Sequence, residues 1–412
     1  MHRSQHEGLV VRVADWPNDA TSPVCLMIDD LTDGWIDRDG SGLPLGRNDW
    51  GAGMDARGSS FRFLTDGLLS AYPEIRTTFF LPVARVEDVR PARFPCTFRP
   101  IDERPEFVRF LRTVDADPRF ECAYHGKEHG IPGPTATDYV AEFEQHGSVS
   151  DALSALRAGE QIWRGVFGTS PSGGKYPAYA RGAHGDAAVD LARFAWWCRR
   201  WDRDLAVAED PAAFHPRLFG ESGVVDVPST VDGGLMTLPS LRTLGPRGWV
   251  YYGRVLLRSG QWLDAQLDAL LARRAVITIQ QHITSSRPDA PSQTPNIYDG
   301  GRTLHRIFRH LRRQRVWHAT CGEIAAYFRT RERTRVVVLS DERFVVRCEE
   351  GAEPVAPLSL ILNGLRLPDR FVLMGPRGEI RVRVVHRIGR WTNVTEPIAL
   401  ESGRYDIVGT SD

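Results

Sequence analysis

The chain of 412 residues is 42% hydrophobic and 25% charged, and its formal net charge at pH 7 is zero. This composition is ordinary for a globular protein, and the length suggests about two domains. The balanced charge gives no reason to expect nucleic acid or an anionic membrane as a partner. No apolar run is long enough to cross a bilayer, and the N-terminus lacks the apolar core of a secretory signal, so we expect a cytoplasmic protein.

Short apolar segments alternate with longer helical or loop segments through residues 1–330. The strand candidates are 24–28, 77–81, 120–124, 194–197, 224–227 and 276–281, and the helix candidates are 59–72, 104–113, 138–145, 149–163, 184–193, 261–273 and 302–313. This alternation predicts an α/β fold with a parallel sheet. The number of repeats favours a (β/α) barrel of about seven strands, in which the chemistry would lie on loops after the C-terminal strand ends.

The character of the chain changes after about residue 331. Short strand candidates separated by Gly, Pro or Asp turns follow one another without a helix between them, at 334–340, 343–348, 358–362, 370–374, 379–386 and 397–408. We therefore predict a small all-β domain over residues 331–412, arranged as a β-sandwich. A packing or oligomerisation module, through which the chain could form a homo-oligomer, explains it better than a carbohydrate-binding one.

Two acidic residues and two histidines stand at predicted strand ends. Asp29 and Asp30 close the apolar run 24–28, while His125 and His129 follow the run 120–124 at a spacing of four residues. Catalytic zinc commonly takes three ligands from histidine and carboxylate and leaves one position for water. Asp30, His125 and His129 supply such a set for Zn²⁺ or another divalent transition metal, and Asp29 remains available as a base.

On these residues the chain resembles the polysaccharide deacetylase family, the carbohydrate esterases with the NodB homology fold. The matching segments are 27–30 (MIDD), 77–82 (TTFFLP), 125–129 (HGKEH), 175–177 (KYP), 279–282 (IQQH) and 316–320 (VWHAT). The resemblance covers about residues 20–330 and is most specific in the paired aspartates and the paired histidines. It implies a distorted (β/α) barrel. Lys175 stands where the family has arginine, and Leu31 where it usually has glycine.

The resemblance also implies a function and a set of roles. A metal-dependent N-deacetylase would hydrolyse the N-acetyl or related N-acyl group of an amino sugar, glycoside or oligosaccharide. Asp29 would be the catalytic base, His282 the general acid, and Lys175 the cation that keeps Asp29 ionised. Four aromatic residues are candidates for stacking on the carbohydrate substrate: Tyr176, Tyr179, Trp197 and Trp201.

Three alternatives remain open at this stage. The same fold could serve another C–N hydrolysis, a deformylation or an epimerisation. The chain could also be a non-catalytic carbohydrate-binding protein. Finally, His184-Gly185-Asp186 has the spacing found in iron oxygenases, although its position at a predicted helix start makes helix capping the better explanation.

Overall fold

The computed structural model describes residues 2–3, 8–34, 50–51, 53–86, 98–131, 139–201, 211–235, 246–283, 295–349 and 356–408. The chain divides into two compact units that are not consecutive stretches of sequence. One unit comprises Val24–Gln314 with His318–Gly322, and the other comprises Met1–Pro23, Arg315–Trp317 and Glu323–Asp412. This division differs from the boundary expected near residue 330, because the N-terminal segment belongs with the C-terminal β-strands.

Strands and helices are numbered along the chain. The helices are α1 (Ser60–Arg62), α2 (Pro105–Ala116), α3 (Val149–Phe167), α4 (Gly185–Ala192), α5 (Pro246–Ala272), α6 (Gly301–Leu311) and α7 (Cys321–Glu332). The strands are β1 (His2–Arg3), β2 (Val10–Val13), β3 (Pro23–Asp29), β4 (Thr77–Leu81), β5 (Ala84–Val86), β6 (Phe98–Pro100), β7 (Phe120–Tyr124), β8 (Gly130–Ile131), β9 (Val140–Ala141), β10 (Gly173–Lys175), β11 (Trp196–Cys198), β12 (Arg217–Phe219), β13 (Val224–Asp226), β14 (Val231–Asp232), β15 (Ile277–His282), β16 (Trp317–His318), β17 (Thr334–Ser340), β18 (Arg343–Cys348), β19 (Leu360–Asn363), β20 (Leu365–Arg366), β21 (Arg370–Gly375), β22 (Gly378–Ile388), β23 (Thr392–Thr395) and β24 (Gly403–Val408).

The larger unit is built on a mostly parallel sheet. Its strands lie in the order β14, β15, β3, β4, β7, β10, β11 and β13, and each neighbouring pair is parallel. β12 adds to β13 in the antiparallel direction. Every residue of β3 and β4 is buried, which explains why their sequences are continuous apolar or threonine-containing runs rather than alternating ones.

One segment connects the two ends of this sheet. Between Val224 and Gly233 the chain first pairs with β11, and Ser229 then forms an isolated bridge to Trp201, beyond the end of β11. It then pairs with β15, where the Thr230 amide donates to the Thr278 carbonyl at 3.1 Å and β14 follows. The sheet is therefore curled. Closure into a barrel of seven strands stays a prediction, which this double pairing supports.

The smaller unit is an antiparallel β structure. Its strands follow the order β17, β18, β24, β21, β22, β23, β19 and β2. The long strand β22 pairs with β21 through its first half and with β23 through its second. The all-β character of this region agrees with the sequence, while the sandwich arrangement and the homo-oligomer stay predictions.

Several secondary-structure predictions need correction. The helix expected at 138–145 is wrong, because the described part of this range holds the hairpin strand β9 and a 3₁₀ turn at Glu142–Gln145. The helix expected at 261–273 is part of the longer α5. β2, β10 and β23 were not predicted, since each is too short to show a clear alternation. None of the described helices is both long and apolar enough to span a bilayer.

Candidate metal centre

The candidate site lies where parallel strands of the larger unit end. Asp29 is the last residue of β3 and lies beside His282, the last residue of β15, in the register of the two strands. His125 directly follows β7, and Lys175 ends β10. Because the carboxyl ends of parallel strands share one edge of a sheet, residues distant in sequence meet there.

The backbone turns sharply after Asp29. Asp30 has a φ of +70°, in the left-handed region that non-glycine residues rarely occupy. Such a conformation costs on the order of 1 kcal/mol or more and is found most often at functional sites. Asp29 and Asp30 are both buried, at 3% and 0% exposure. The turn thus places two neighbouring carboxylates in one enclosed space, where both lie near the His125 ring.

The histidine loop is fixed by a buried carboxylate. Glu142 accepts hydrogen bonds from the backbone amides of Lys127 and Glu128, at 2.9 and 2.8 Å. Gly126 has a φ of +82°, and a Cβ on it would lie 2.5 Å from Oε2 of Glu142. Burial raises the pKa of Glu142 to about 6, against the amide hydrogen bonds that lower it. Glycine at 126 is therefore required for this loop to fold over Glu142.

Asp30, His125 and His129 converge through their ligand atoms. Nε2 of His129 is 3.3 Å from Oδ1 of Asp30, and Nε2 of His125 is 3.7 Å from the same oxygen. The three ligand atoms all lie within 4.8 Å of one another. Metal–ligand bonds of 2.0–2.2 Å in a tetrahedral site separate the ligand atoms by roughly 3.3 Å. The three side chains therefore fit a single divalent ion.

The other ring nitrogens of the two histidines are engaged elsewhere. Nδ1 of His125 is 3.0 Å from the Lys175 carbonyl oxygen, to which it donates. The Tyr139 hydroxyl donates to the His129 carbonyl oxygen at 2.7 Å and lies 2.8 Å from Nδ1 of the same residue, from which it can accept. These contacts select the tautomer with a proton on Nδ1, so both Nε2 lone pairs are available to a metal.

Burial keeps the two imidazoles neutral. Desolvation lowers the pKa of His125 to about 4, although Asp29 and Asp30 oppose this shift. The pKa of His129 is also lowered, for the same reason. A metal binds only neutral imidazole, so the lowered pKa values of both histidines favour metal binding. The donor set of two histidines and one carboxylate is the kind that zinc uses in hydrolases.

Lys175 forms a buried ion pair with Asp29. Its Nζ lies 2.9 Å from Oδ1 and 2.7 Å from Oδ2 of Asp29, and the lysine is 0% exposed. Desolvation would raise the pKa of Asp29, but Lys175, together with His125 and His282, lowers it to about 2. Asp29 is consequently ionised over the whole physiological range.

His282 faces the same carboxylate. Its Nε2 is 3.9 Å from Oδ2 of Asp29, and its Nδ1 is 2.5 Å from the Pro295 carbonyl oxygen. The carbonyl can only accept, so Nδ1 carries a proton in either charge state. A second proton, on Nε2, would therefore be the one that His282 can give away.

The four aromatic residues expected to contact substrate do not share one location. Tyr176 and Trp197 are both 0% exposed, and their rings contact each other, with centroids 5.3 Å apart. As core residues they cannot stack on a sugar, so that prediction is wrong for these two. Tyr179 and Trp201 are partly exposed, and their rings lie 5.5 Å apart. They stay candidates for a substrate wall.

The oxygenase-like spacing at His184 and Asp186 does not form a metal site. Asp186 accepts hydrogen bonds from Tyr176 and Arg199 on Oδ1, both at 3.0 Å, and pairs with Arg181 and Arg199 through Oδ2. His184 begins α4 without a side-chain capping hydrogen bond, so the capping explanation is also wrong. The Asp186 carboxylate instead binds the side chains of Arg181 and Arg199.

Sequence analysis missed three residues that contact this site. Gln280 bonds to both Lys175 and Asp29, Tyr139 bonds to His129, and Glu142 holds the histidine loop. Only Gln280 left a signal in the sequence, because a glutamine near the end of the apolar run 276–281 needs a polar partner if that strand is buried.

No protein-family model and no curated protein matches the chain. Weak similarity is found to solved structures. A Mycobacterium smegmatis protein assigned as a polysaccharide deacetylase has 15% identity and a TM-score of 0.46, covering 78% of this chain and 94% of that one. A GH57-type branching enzyme from Pyrococcus horikoshii has 10% identity and a TM-score of 0.44, covering 75% and 70%. A family 4 acetyl xylan esterase from Clostridium thermocellum, solved with cobalt, has 12% identity and a TM-score of 0.32, covering 74% and 90%. These similarities are too distant to support a functional conclusion.

Proposed function

We propose that the chain is a metal-dependent amide hydrolase that removes the N-acetyl, or a related N-acyl, group from an amino sugar, glycoside or oligosaccharide. The observation that carries this proposal is the meeting of a three-residue ligand set with a separate, ionised carboxylate. Nε2 of His125 is 3.7 Å from Oδ1 of Asp30 and also 3.7 Å from Oδ2 of Asp29. Water held between them would be next to both the metal and a base.

Asp30, His125 and His129 would hold the metal. When bound, a divalent ion supplies Lewis-acid polarisation of the acyl carbonyl and acidifies water at neutral pH. Asp30 contributes negative charge, and the two neutral imidazoles contribute none. Asp29, Asp30 and Lys175 together carry one net negative charge. The site therefore attracts a cation more strongly than it attracts a neutral amide group of the substrate.

Asp29 would accept the proton of the attacking water. Its pKa of about 2 means that it is always ionised, and Lys175 holds both of its oxygens at under 3 Å. A carboxylate with so low a pKa is a weak base in water. A bound divalent ion would acidify the water, and proton transfer to Asp29 would then need less driving force.

His282 would protonate the leaving nitrogen. The Pro295 carbonyl fixes the ring through Nδ1, so Nε2 is directed at the space beside Asp29. An amide nitrogen leaves only as an amine, and so a proton must reach it as the C–N bond breaks. Asp29 and His282 lie on adjacent strands, with 3.9 Å between Oδ2 and Nε2. This is longer than a hydrogen bond, so a water between them would relay the proton from Asp29 to His282 once His282 has given its Nε2 proton to the nitrogen.

The substrate would lie against the partly exposed aromatic pair. Tyr179 and Trp201 present rings tilted by 36° to each other, and aromatic faces are common supports for sugar rings. Lys175 lies 4.3 Å from the centre of the Tyr179 ring and so covers one of its faces. A sugar ring stacking on Tyr179 would therefore have to use the other face.

The test is amine release from a panel of N-acetyl and N-formyl amino sugars and glycosides. We expect turnover by the zinc-loaded protein, loss with a chelator, and recovery when metal is restored. Asp29→Asn should reduce kcat by about 10³-fold while retaining metal, within the range that general bases contribute. Asp186→Asn is the matched control and should leave turnover unchanged.

Two outcomes would contradict the proposal. Turnover that is insensitive to chelator would remove the metal from the reaction, and no turnover of any substrate after metal repletion would remove the hydrolase. Preference for N-formyl over N-acetyl substrates would redirect the reaction to deformylation on the same site.

A further inference from the structure

At the proposed metal site, either of the two neighbouring aspartates could become the carboxylate ligand. Oδ2 of Asp29 and Oδ1 of Asp30 are equally far, 3.7 Å, from Nε2 of His125. Both carboxylates are buried in the same space. A cation held by His125 is therefore within reach of either. If Asp29 also became a ligand, it would fill the position that water needs and could no longer act as a base.

Gln280 makes contacts that distinguish Asp29 from Asp30. Its Oε1 accepts from Nζ of Lys175, and its Nε2 donates to Oδ2 of Asp29 at 2.9 Å. Lysine can only donate and an ionised carboxylate can only accept, so the orientation of the amide is determined by its partners. Oδ2, the oxygen that faces His125, is thereby held by two donors, Lys175 and Gln280.

Tyr179 supports this arrangement through its contacts with both Gln280 and Lys175. Its hydroxyl lies 2.9 Å from Oε1 of Gln280 and 2.6 Å from Oγ of Ser229, and its ring covers Lys175. Tyr179 and Ala178 have φ values of +58° and +52°. Two consecutive residues in this unfavourable region indicate that the surrounding contacts hold the turn in place. The turn carries the tyrosine ring over the lysine and shields it from water.

We infer that Gln280, together with Lys175 and Tyr179, restrains Asp29 so that its carboxylate stays out of the metal coordination sphere. Gln280 and Tyr179 are positioning residues, since both act through Asp29 and Lys175. Lys175 contacts both oxygens from a single nitrogen, and Gln280 adds a second donor to Oδ2 from another direction, which restrains rotation of the carboxylate. The inference rests on the proposed metal site, but it does not require that the substrate be an N-acetyl sugar.

Cobalt substitution tests this inference without an activity assay. Co²⁺ would be loaded into the metal-free protein, and azide would be titrated while the visible absorption of the ion is followed. Azide enters only where a coordination position is open, and the absorption reports the number of ligands. In the wild-type protein we expect azide to bind. In Gln280→Met we expect Asp29 to turn onto the ion, so that azide affinity falls at least ten-fold and the spectrum gains a ligand.

Two controls separate this effect from general damage. Gln281→Met changes the next residue of β15, which is equally buried and whose amide makes no hydrogen bond to the described residues, and it should retain wild-type azide affinity. In an Asp29→Ala background, Gln280→Met should change nothing further, because no carboxylate remains to be restrained. If Gln280→Met does not fold, Tyr179→Phe should show a smaller effect in the same direction.

The outcomes separate the two proposals. Wild-type azide affinity in both Gln280→Met and Tyr179→Phe would overturn the restraint. An equal loss of affinity in the Asp29→Ala background would also overturn it, because the effect would not then pass through Asp29. A protein that binds cobalt and azide as expected but hydrolyses no amide would keep the restraint and refute the proposed function. Failure to bind cobalt would refute both.

Discussion

Two groups of acidic and histidine side chains in the larger unit have spacings typical of metal sites, and they use their carboxylates differently. In the metal cluster, defined as Asp30, His125 and His129, three ligand atoms lie within 4.8 Å of one another. In the arginine cluster, Asp186 with its partners, both carboxylate oxygens are taken by guanidinium groups and a tyrosine hydroxyl.

The difference lies in where the partners attach. In the metal cluster, the hydrogen bonds of the histidines are made by Nδ1, on the side of the ring away from the ligand atom. In the arginine cluster, the hydrogen bonds and ion pairs are made by the carboxylate oxygens of Asp186, which are the atoms that would have to bind a metal. Spacing in the sequence cannot distinguish these cases, because it fixes which residues can meet but not which atoms remain available.

The largest effect expected from this comparison is the loss of metal. Asp30→Ala should lower the zinc affinity of the purified protein by at least about 100-fold, because removing a ligand costs more than disturbing a residue behind one. Asp186→Ala should bind zinc with wild-type affinity. Metal content after equilibrium dialysis measures both. Equal losses of zinc affinity in the two variants would contradict the assignment of the metal to Asp30, His125 and His129.

A smaller effect is expected on stability in the absence of metal. The folded protein holds the pKa of His125 at about 4, against 6.5 ordinarily. Below pH 6.5 the unfolded chain therefore binds a proton that the folded one excludes, and stability is lost as the pH falls toward 4. From pH 7 to pH 5 this amounts to about 2 kcal/mol.

Urea unfolding of metal-free protein at both pH values measures this change against His125→Gln, in which the titrating group is absent. The comparison of variants is needed because Glu142, whose pKa is raised to about 6, acts in the opposite direction. It binds a proton in the folded state first and so gains stability as the pH falls. An identical pH dependence in the two proteins would show that His125 is not held neutral.

The sequence could locate the strand ends of the site but not the contacts behind them. Asp29 and His282 follow apolar runs, so their places at one edge of a parallel sheet could be predicted. Tyr139 is only ten residues from His129, but it lies beside a short hairpin in a range that the sequence presents as a helix. Its contact with His129 depends on the β8–β9 pairing, which leaves almost no periodic signal. Trp197 was misjudged because an aromatic residue near a strand end has the same sequence pattern in a core and in a substrate wall.

The smallest predicted effect concerns the contact between Tyr139 and His129. Tyr139→Phe removes the hydroxyl that lies 2.8 Å from Nδ1 of His129, while the ring that packs beside the histidine remains. Without an acceptor for its Nδ1 proton, the imidazole can rotate or change tautomer, and part of the protein would then present a protonated Nε2 to the metal. Zinc affinity should fall about ten-fold, at the lower end of the range for residues behind a ligand.

Tyr298→Phe is the matched control, because this tyrosine also makes a side-chain hydrogen bond, but to Ser60, which is not one of the three proposed ligands. The two variants should lose similar, small amounts of thermal stability. If both also retained wild-type zinc affinity, the Nδ1 contact would have no part in preparing His129. The metal cluster would then differ from the arginine cluster only in the convergence of its ligand atoms, and not in the hydrogen bonds that orient its histidines.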